Sequence, residues 1–132
     1  MTAKGWIAAA AMIAMVPPFH AEAATYVGDR GKWLALSEVA KLGYAAGAFD
    51  AMQVLRDGDL VGNAHTRGRS KCGTTLALEP SALVKLISDE YERNPAAWAL
   101  PASAVLNNEL NKVCASYINA ERQALGLPLI KP

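Results

Sequence analysis

Reactive side chains are scarce in this sequence. It holds two cysteines and two histidines in 132 residues. No C-x-x-C, H-E-x-x-H, G-x-S-x-G or S-x-x-K pattern occurs, so the spacing signatures of zinc, redox and acyl-transfer sites are missing. Thirteen basic residues face twelve acidic ones, for a formal net charge of +1. That leaves no basic field of the kind that holds nucleic acid. Two cysteines are too few for a disulfide-dense scaffold. No apolar run reaches the ~20 residues of a membrane-spanning helix. Charged residues are 19% and hydrophobic ones 52%, which excludes a disordered chain. What remains is one small folded domain.

The first 23 residues read as a secretory signal peptide. Lys4 supplies a basic start, Trp6 to Val16 is uncharged and apolar, and Pro17-Pro18 breaks the run. Ala21-Glu22-Ala23 then places small side chains where signal peptidase requires them. The layout predicts cleavage after Ala23, export to the periplasm, and a single helical domain over 24–132 that has no membrane contact once the signal is removed. No N-x-S/T sequon occurs. After cleavage His65 is the one histidine left.

Within that domain apolar and small residues recur at helical spacing. The first stretch runs from about Lys32 to Arg56, through Trp33, Leu36, Ala40, Gly43, Gly47, Ala51 and Leu55. Residues 57–72 (DGDLVGNAHTRGRSKC) are polar and glycine-punctuated, and predict a long loop. A second helix starts at Glu79-Pro80, since Pro suits a first helical position. It buries Leu83, Val84, Ile87 and Tyr91 and stops at Asn94-Pro95. Its Asp89, Glu90 and Glu92 read as a solvated face. A third helix starts at Leu100-Pro101, buries Ala102, Val105, Leu106, Leu110, Val113, Tyr117 and Ile118, and continues to Leu125 before Gly126 and Pro128. Leu76 to Leu78 suits a brief extended piece. The expected fold is all-α, a small bundle of three to five helices.

Cys72 then falls just before the second helix and Cys114 towards the end of the core of the third. In an antiparallel pair these positions are neighbours, so a Cys72–Cys114 disulfide is expected. Closing a loop of roughly forty residues stabilises by about 4 kcal/mol in the chain-entropy model. Asp57-Gly58-Asp59 and Gly62 imitate part of a calcium loop. Val61 and Gly68 stand where two oxygen ligands are required, so an ordinary polar turn is the reading. No metal or cofactor is expected. The basic run His65-Thr66-Arg67-Gly68-Arg69-Ser70-Lys71 lacks interleaved aromatics and is not a phosphate loop. Its His65, Arg67, Arg69 and Lys71 are the candidate partner contacts. Asp50, in the first helix, wants a hydrogen-bond partner. No catalytic constellation accompanies any of these, so no enzyme activity is expected.

The segment Gly43-Tyr44-Ala45-Ala46-Gly47-Ala48-Phe49-Asp50-Ala51 resembles the G-Y-x-x-G-x-x-D-A helix of the Rap/Tai immunity proteins of type VI secretion systems. The later order is similar too: a loop, a Cys (Cys72), an apolar helix ending in Tyr91-Glu92-Arg93-Asn94-Pro95, and a further helix leading to a second Cys (Cys114). Asn94 stands where the family usually carries His. The resemblance covers residues 33–115. It implies an all-helical periplasmic protein, often a homodimer, that binds and inhibits a peptidoglycan amidase effector without catalysis. It also implies fold roles for Gly43 and Gly47 (close helix approach) and for Tyr44 and Asp50 (internal hydrogen bonds). The other readings of the same residues are a small periplasmic stress chaperone and a secreted binding protein of unknown partner.

Overall fold

The computed structural model describes residues 26–131. The signal segment predicted over 1–23 lies outside them. Six α-helices follow in order: α1 (Arg30–Leu34), α2 (Glu38–Ala51), α3 (Leu60–Thr75), α4 (Pro80–Arg93), α5 (Ala102–Val113) and α6 (Ala115–Ala124), with a 3-10 turn at Pro95–Ala97 between α4 and α5. The described residues contain no strand, and one disulfide joins Cys72 to Cys114. The fold is therefore all-α with one disulfide, as expected. None of its helices is long and apolar enough to cross a membrane.

Local signals set most boundaries. Asp29 caps α1 by accepting from the Lys32 N–H at 2.8 Å. Ser37 caps α2 through the Ala40 N–H at 3.3 Å, and this cap divides the single stretch predicted from Lys32 into α1 and α2. Pro80 opens α4 and Asn94 ends it, where the sequence places both ends. Asn94 then caps the 3-10 turn through Ala96 N–H at 3.1 Å. The predicted third helix is two helices, parted at Cys114.

The long loop predicted over 57–72 is not there. Only the turn before Leu60 is irregular, and the rest of the segment is α3. Asp59 caps that helix through the Gly62 N–H at 2.7 Å. The helix is held by what it packs on rather than by its composition. Ala64, Gly68 and Cys72 recur every four residues and are buried, facing α6, its most extensive partner. A Cβ on Gly68 would lie 2.5 Å from Ile118 Cα and 2.7 Å from Ile118 N. Only glycine permits this approach.

Gly68 thus holds the close helix approach that the sequence assigned to Gly43 and Gly47. A Cβ at either of those meets nothing within 4 Å, and both glycines are exposed. Among the described residues neither Tyr44 nor Asp50 makes the predicted internal side-chain hydrogen bond; Tyr44 packs edge-on to Trp33 at 6.0 Å between centroids, and Asp50 is exposed.

The core is built by Trp33, Ala45, Leu83, Ile87, Tyr91, Val105, Leu106, Leu110 and Ile118, all buried. The 3-10 turn is tied in by two polar groups on aromatic bodies: Tyr91 Oη donates to Leu100 O at 2.7 Å and Trp98 Nε1 to Tyr91 O at 2.8 Å. Val113 drops out of the predicted stripe, being exposed, while Ile118 beyond it is buried. The disulfide spans 5.6 Å between Cα atoms, with both cysteines fully buried. The bonded pair is the expected one, but the elements it joins differ: Cys72 belongs to α3, so the bond pins α3 to the α5–α6 junction. The predicted extended piece at Leu76–Leu78 is the end of α3, where Leu78 N–H reaches Gly73 O at 2.9 Å and Ala77 takes φ 47°. That is a Schellman motif with Ala in the position usually filled by Gly.

Candidate functional site

Because residues 65–71 are helical, the basic run divides between two faces. Positions two apart on a helix point away from each other, and positions four apart share a face. Arg67 and Lys71 face solvent, and Lys71 pairs with Glu121 on α6. His65 and Arg69 turn inward, with Arg69 only 7% exposed. The four candidate contacts are therefore not one patch.

The inward pair lines a groove of about 480 Å³ between the end of α2, the turn after it, the start of α3 and α5. Arg69 Nη2 donates to Asn107 Oδ1 at 2.6 Å and to Asn111 Oδ1 at 2.8 Å. Asn111 Oδ1 also lies 3.4 Å from His65 Nδ1, and His65 Nε2 lies 3.1 Å from Arg122 Nη1. A guanidinium can only donate, so Nε2 accepts and Nδ1 carries the proton. The imidazole is neutral in this arrangement. Burial holds His65 below its ordinary 6.5, and the Arg69 and Arg122 charges act in the same direction against the opposing Asn111 bond. Burial likewise lowers Arg69.

The two arginines differ from the other buried charges. Glu90 and Glu109 are also buried, but both are paired. Glu90 accepts from Arg93 Nε at 2.7 Å and Asn94 Nδ2 at 2.8 Å; Glu109 accepts from Arg93 Nη2 at 2.6 Å and Lys112 Nζ at 2.5 Å. The Asn94 bond leads the causes that hold Glu90 below the usual carboxylate value. Arg69 and Arg122 form no ion pair with any carboxylate among the described residues. Their acceptors are neutral: two asparagine amides for Arg69, and His65 and the Pro128 carbonyl for Arg122. Arg69 Nε has no hydrogen-bond partner among the described residues. A buried cation with neutral acceptors keeps an unmatched charge.

The groove has an apolar edge. Val54, Leu55, Leu60 and Val61 are 60%, 53%, 60% and 47% exposed, four large apolar side chains within eight positions. Their turn is firmly held. Asn63 pairs with both backbone groups of Arg56, at 2.8 and 2.7 Å, and Thr66 Oγ1 donates to Met52 O at 3.2 Å. The sequence placed Leu55 in the stripe of the first helix, but α2 ends at Ala51 and Leu55 is exposed; it did not single out Val54, Leu60 or Val61, although LV at 60–61 stands out in a polar segment. It also missed Asn107, Asn111 and Arg122, which lie far along the chain and carry no local signal.

The arrangement offers donors, positive charge and a rigid apolar edge. Among the described residues neither His65 nitrogen meets a hydroxyl, thiol or carboxylate, and no three His, Cys, Asp or Glu side chains group as metal ligands. No family model, no curated protein and no solved structure matches this chain.

Proposed function

We propose that the protein is a periplasmic immunity protein that binds and inhibits a cognate type VI secretion peptidoglycan amidase, without chemistry of its own. The resemblance over residues 33–115 supplies the family. The observation that carries the binding role is the rigid, exposed apolar turn of Val54, Leu55, Leu60 and Val61 beside a cationic groove. Exposed apolar side chains gathered in one place mark an interaction surface. An inhibitor works best when such a surface is already ordered, because less entropy is lost on docking. Here the turn is clamped by Asn63 and Thr66, and α3 behind it is pinned by the disulfide. The turn therefore replaces the 65–71 run as the contact surface, and only Arg67 of that run remains as an exposed cation without an ion pair among the described residues. Homodimer formation belongs to the same proposal.

The test is direct. The amidase encoded beside this gene is purified and its turnover of peptidoglycan fragments is measured with and without the protein. Stoichiometric inhibition is expected. The Leu55→Asp/Leu60→Asp variant should keep its helical circular dichroism and lose inhibition. Absence of any effector gene nearby, together with no amidase among co-purifying proteins, overturns the immunity reading.

A further inference from the structure

We propose that the Arg69 groove is a recognition site for a single carboxylate, presented by an acidic side chain that apolar residues flank on a protein partner. The floor of the groove holds a nine-tenths-buried guanidinium whose only bonds among the described residues go to two amide oxygens, and its Nε has no partner among them. Arg122 stands behind His65 with the same lack of a carboxylate. Arg56 and Asn63 line the mouth and add positive charge and an amide. A carboxylate entering here supplies the missing opposite charge, in surroundings where charge-assisted hydrogen bonds are strong.

The site favours one negative charge over two. Asp59 lines the same groove, so the cations Arg56 and Arg69 already share it with one fixed anion, and a phosphate dianion would meet that carboxylate. The walls decide what carries the charge. Ala51, Met52, Val54 and Val61 line the groove, and Leu55 and Leu60 stand exposed on the same turn. An acidic side chain with apolar neighbours matches that edge, whereas a free hydrophilic acid leaves it wet. This inference rests on the binding reading given above only for the occupant being a protein; the carboxylate preference stands on the groove itself.

The probes are three capped peptides, acetyl-Leu-Glu-Leu-amide, its Gln counterpart and its phosphoserine counterpart, together with free acetate and inorganic phosphate. Each is titrated into the isotope-labelled full chain and followed by NMR at His65, Asn107 and Asn111. The Glu peptide should shift these signals and bind roughly tenfold or more tightly than the Gln peptide, the size expected for one charge-assisted contact. Its binding should raise the His65 pKa, since it places a negative charge beside the ring. Arg69→Gln should abolish the preference for Glu over Gln. If that variant does not fold, Arg56→Ala at the exposed mouth should weaken Glu-peptide binding in its place. Equal binding of Glu and Gln peptides overturns the proposal, as does tighter binding of phosphoserine or inorganic phosphate. Acetate binding as tightly as the Glu peptide overturns the protein occupant and leaves a small-acid site. If the protein inhibits its amidase and no peptide binds, this inference fails while the immunity reading holds. Peptide binding with no effector found gives the converse.

Discussion

Replacing Gly68 by alanine tests the α3–α6 packing at its closest point. The added Cβ would meet Ile118 Cα at 2.5 Å and Ile118 N at 2.7 Å, against the ~3.5–4.0 Å of an ordinary carbon contact. The helices must therefore part by about 1 Å. Overpacking costs ~1–3 kcal/mol where side chains can yield. Here the obstacle is backbone, and both helices are pinned nearby, at Cys72 one turn beyond Gly68 and at Cys114 one turn before Ile118. The upper end of that range applies. Alanine returns about 1 kcal/mol of helix propensity, for a net loss of about 2 kcal/mol. Urea unfolding followed by circular dichroism measures it directly, and a fall in Tm of roughly 8 °C or more should accompany it. Gly43→Ala and Gly47→Ala are the controls. Their Cβ positions are open, so each should gain up to about 1 kcal/mol. In a Cys72→Ala/Cys114→Ala background the helices can separate more easily, and the Gly68→Ala cost should shrink by about 0.5 kcal/mol or more. A Gly68→Ala protein as stable as its parent refutes the packing argument. Losses at Gly43 and Gly47 that shrink with dilution would show a second chain covering α2.

Reduction of the disulfide should cost about 4 kcal/mol, from the roughly forty-residue loop it closes, read as the change in urea midpoint with and without reductant. Ala77→Gly should stabilise by about 1 kcal/mol, because Ala77 occupies a left-handed φ of 47° at the end of α3 that glycine adopts without strain. Because His65 is held below 6.5, the unfolded chain takes up its proton first as pH falls. Its contribution to stability is complete above pH 6.5 and is lost as pH drops from there to the folded pKa; His65→Gln should flatten that part of the stability–pH curve. Glu90, also lowered, adds a loss at lower pH, beginning as pH falls through about 4.5. Mass spectrometry of the exported protein should find Ala24 at the N-terminus, and an intact Met1 on a cytoplasmic protein refutes the signal reading.

Parts of the fold whose signals are local or strongly apolar could be read from the amino-acid order. Pro80 and Asn94 bound α4, and its stripe of Leu83, Ile87 and Tyr91 is buried as the spacing requires, because a helix with an apolar stripe announces its own period. The all-α class followed from the same spacing; the Cys72–Cys114 pair was expected from an antiparallel pairing of the second and third predicted helices, and the bond forms although Cys72 lies within α3. Tertiary structure alone decided α3. Its buried stripe is Ala64, Gly68 and Cys72, too small and too polar in company to register as periodic. The segment is helical because α6 lies against it, and that contact joins residues fifty positions apart. The same contact moved the close-approach role from Gly43 and Gly47 to Gly68. It also divided His65 and Arg69 from Arg67 and Lys71, since only a helix gives alternate residues opposite faces. Of the groove only His65 and Arg69 were named from the sequence, because Asn107, Asn111 and Arg122 reach them only once α3, α5 and α6 are packed. An unmatched buried charge is a property of three-dimensional neighbours, and a sequence does not list neighbours.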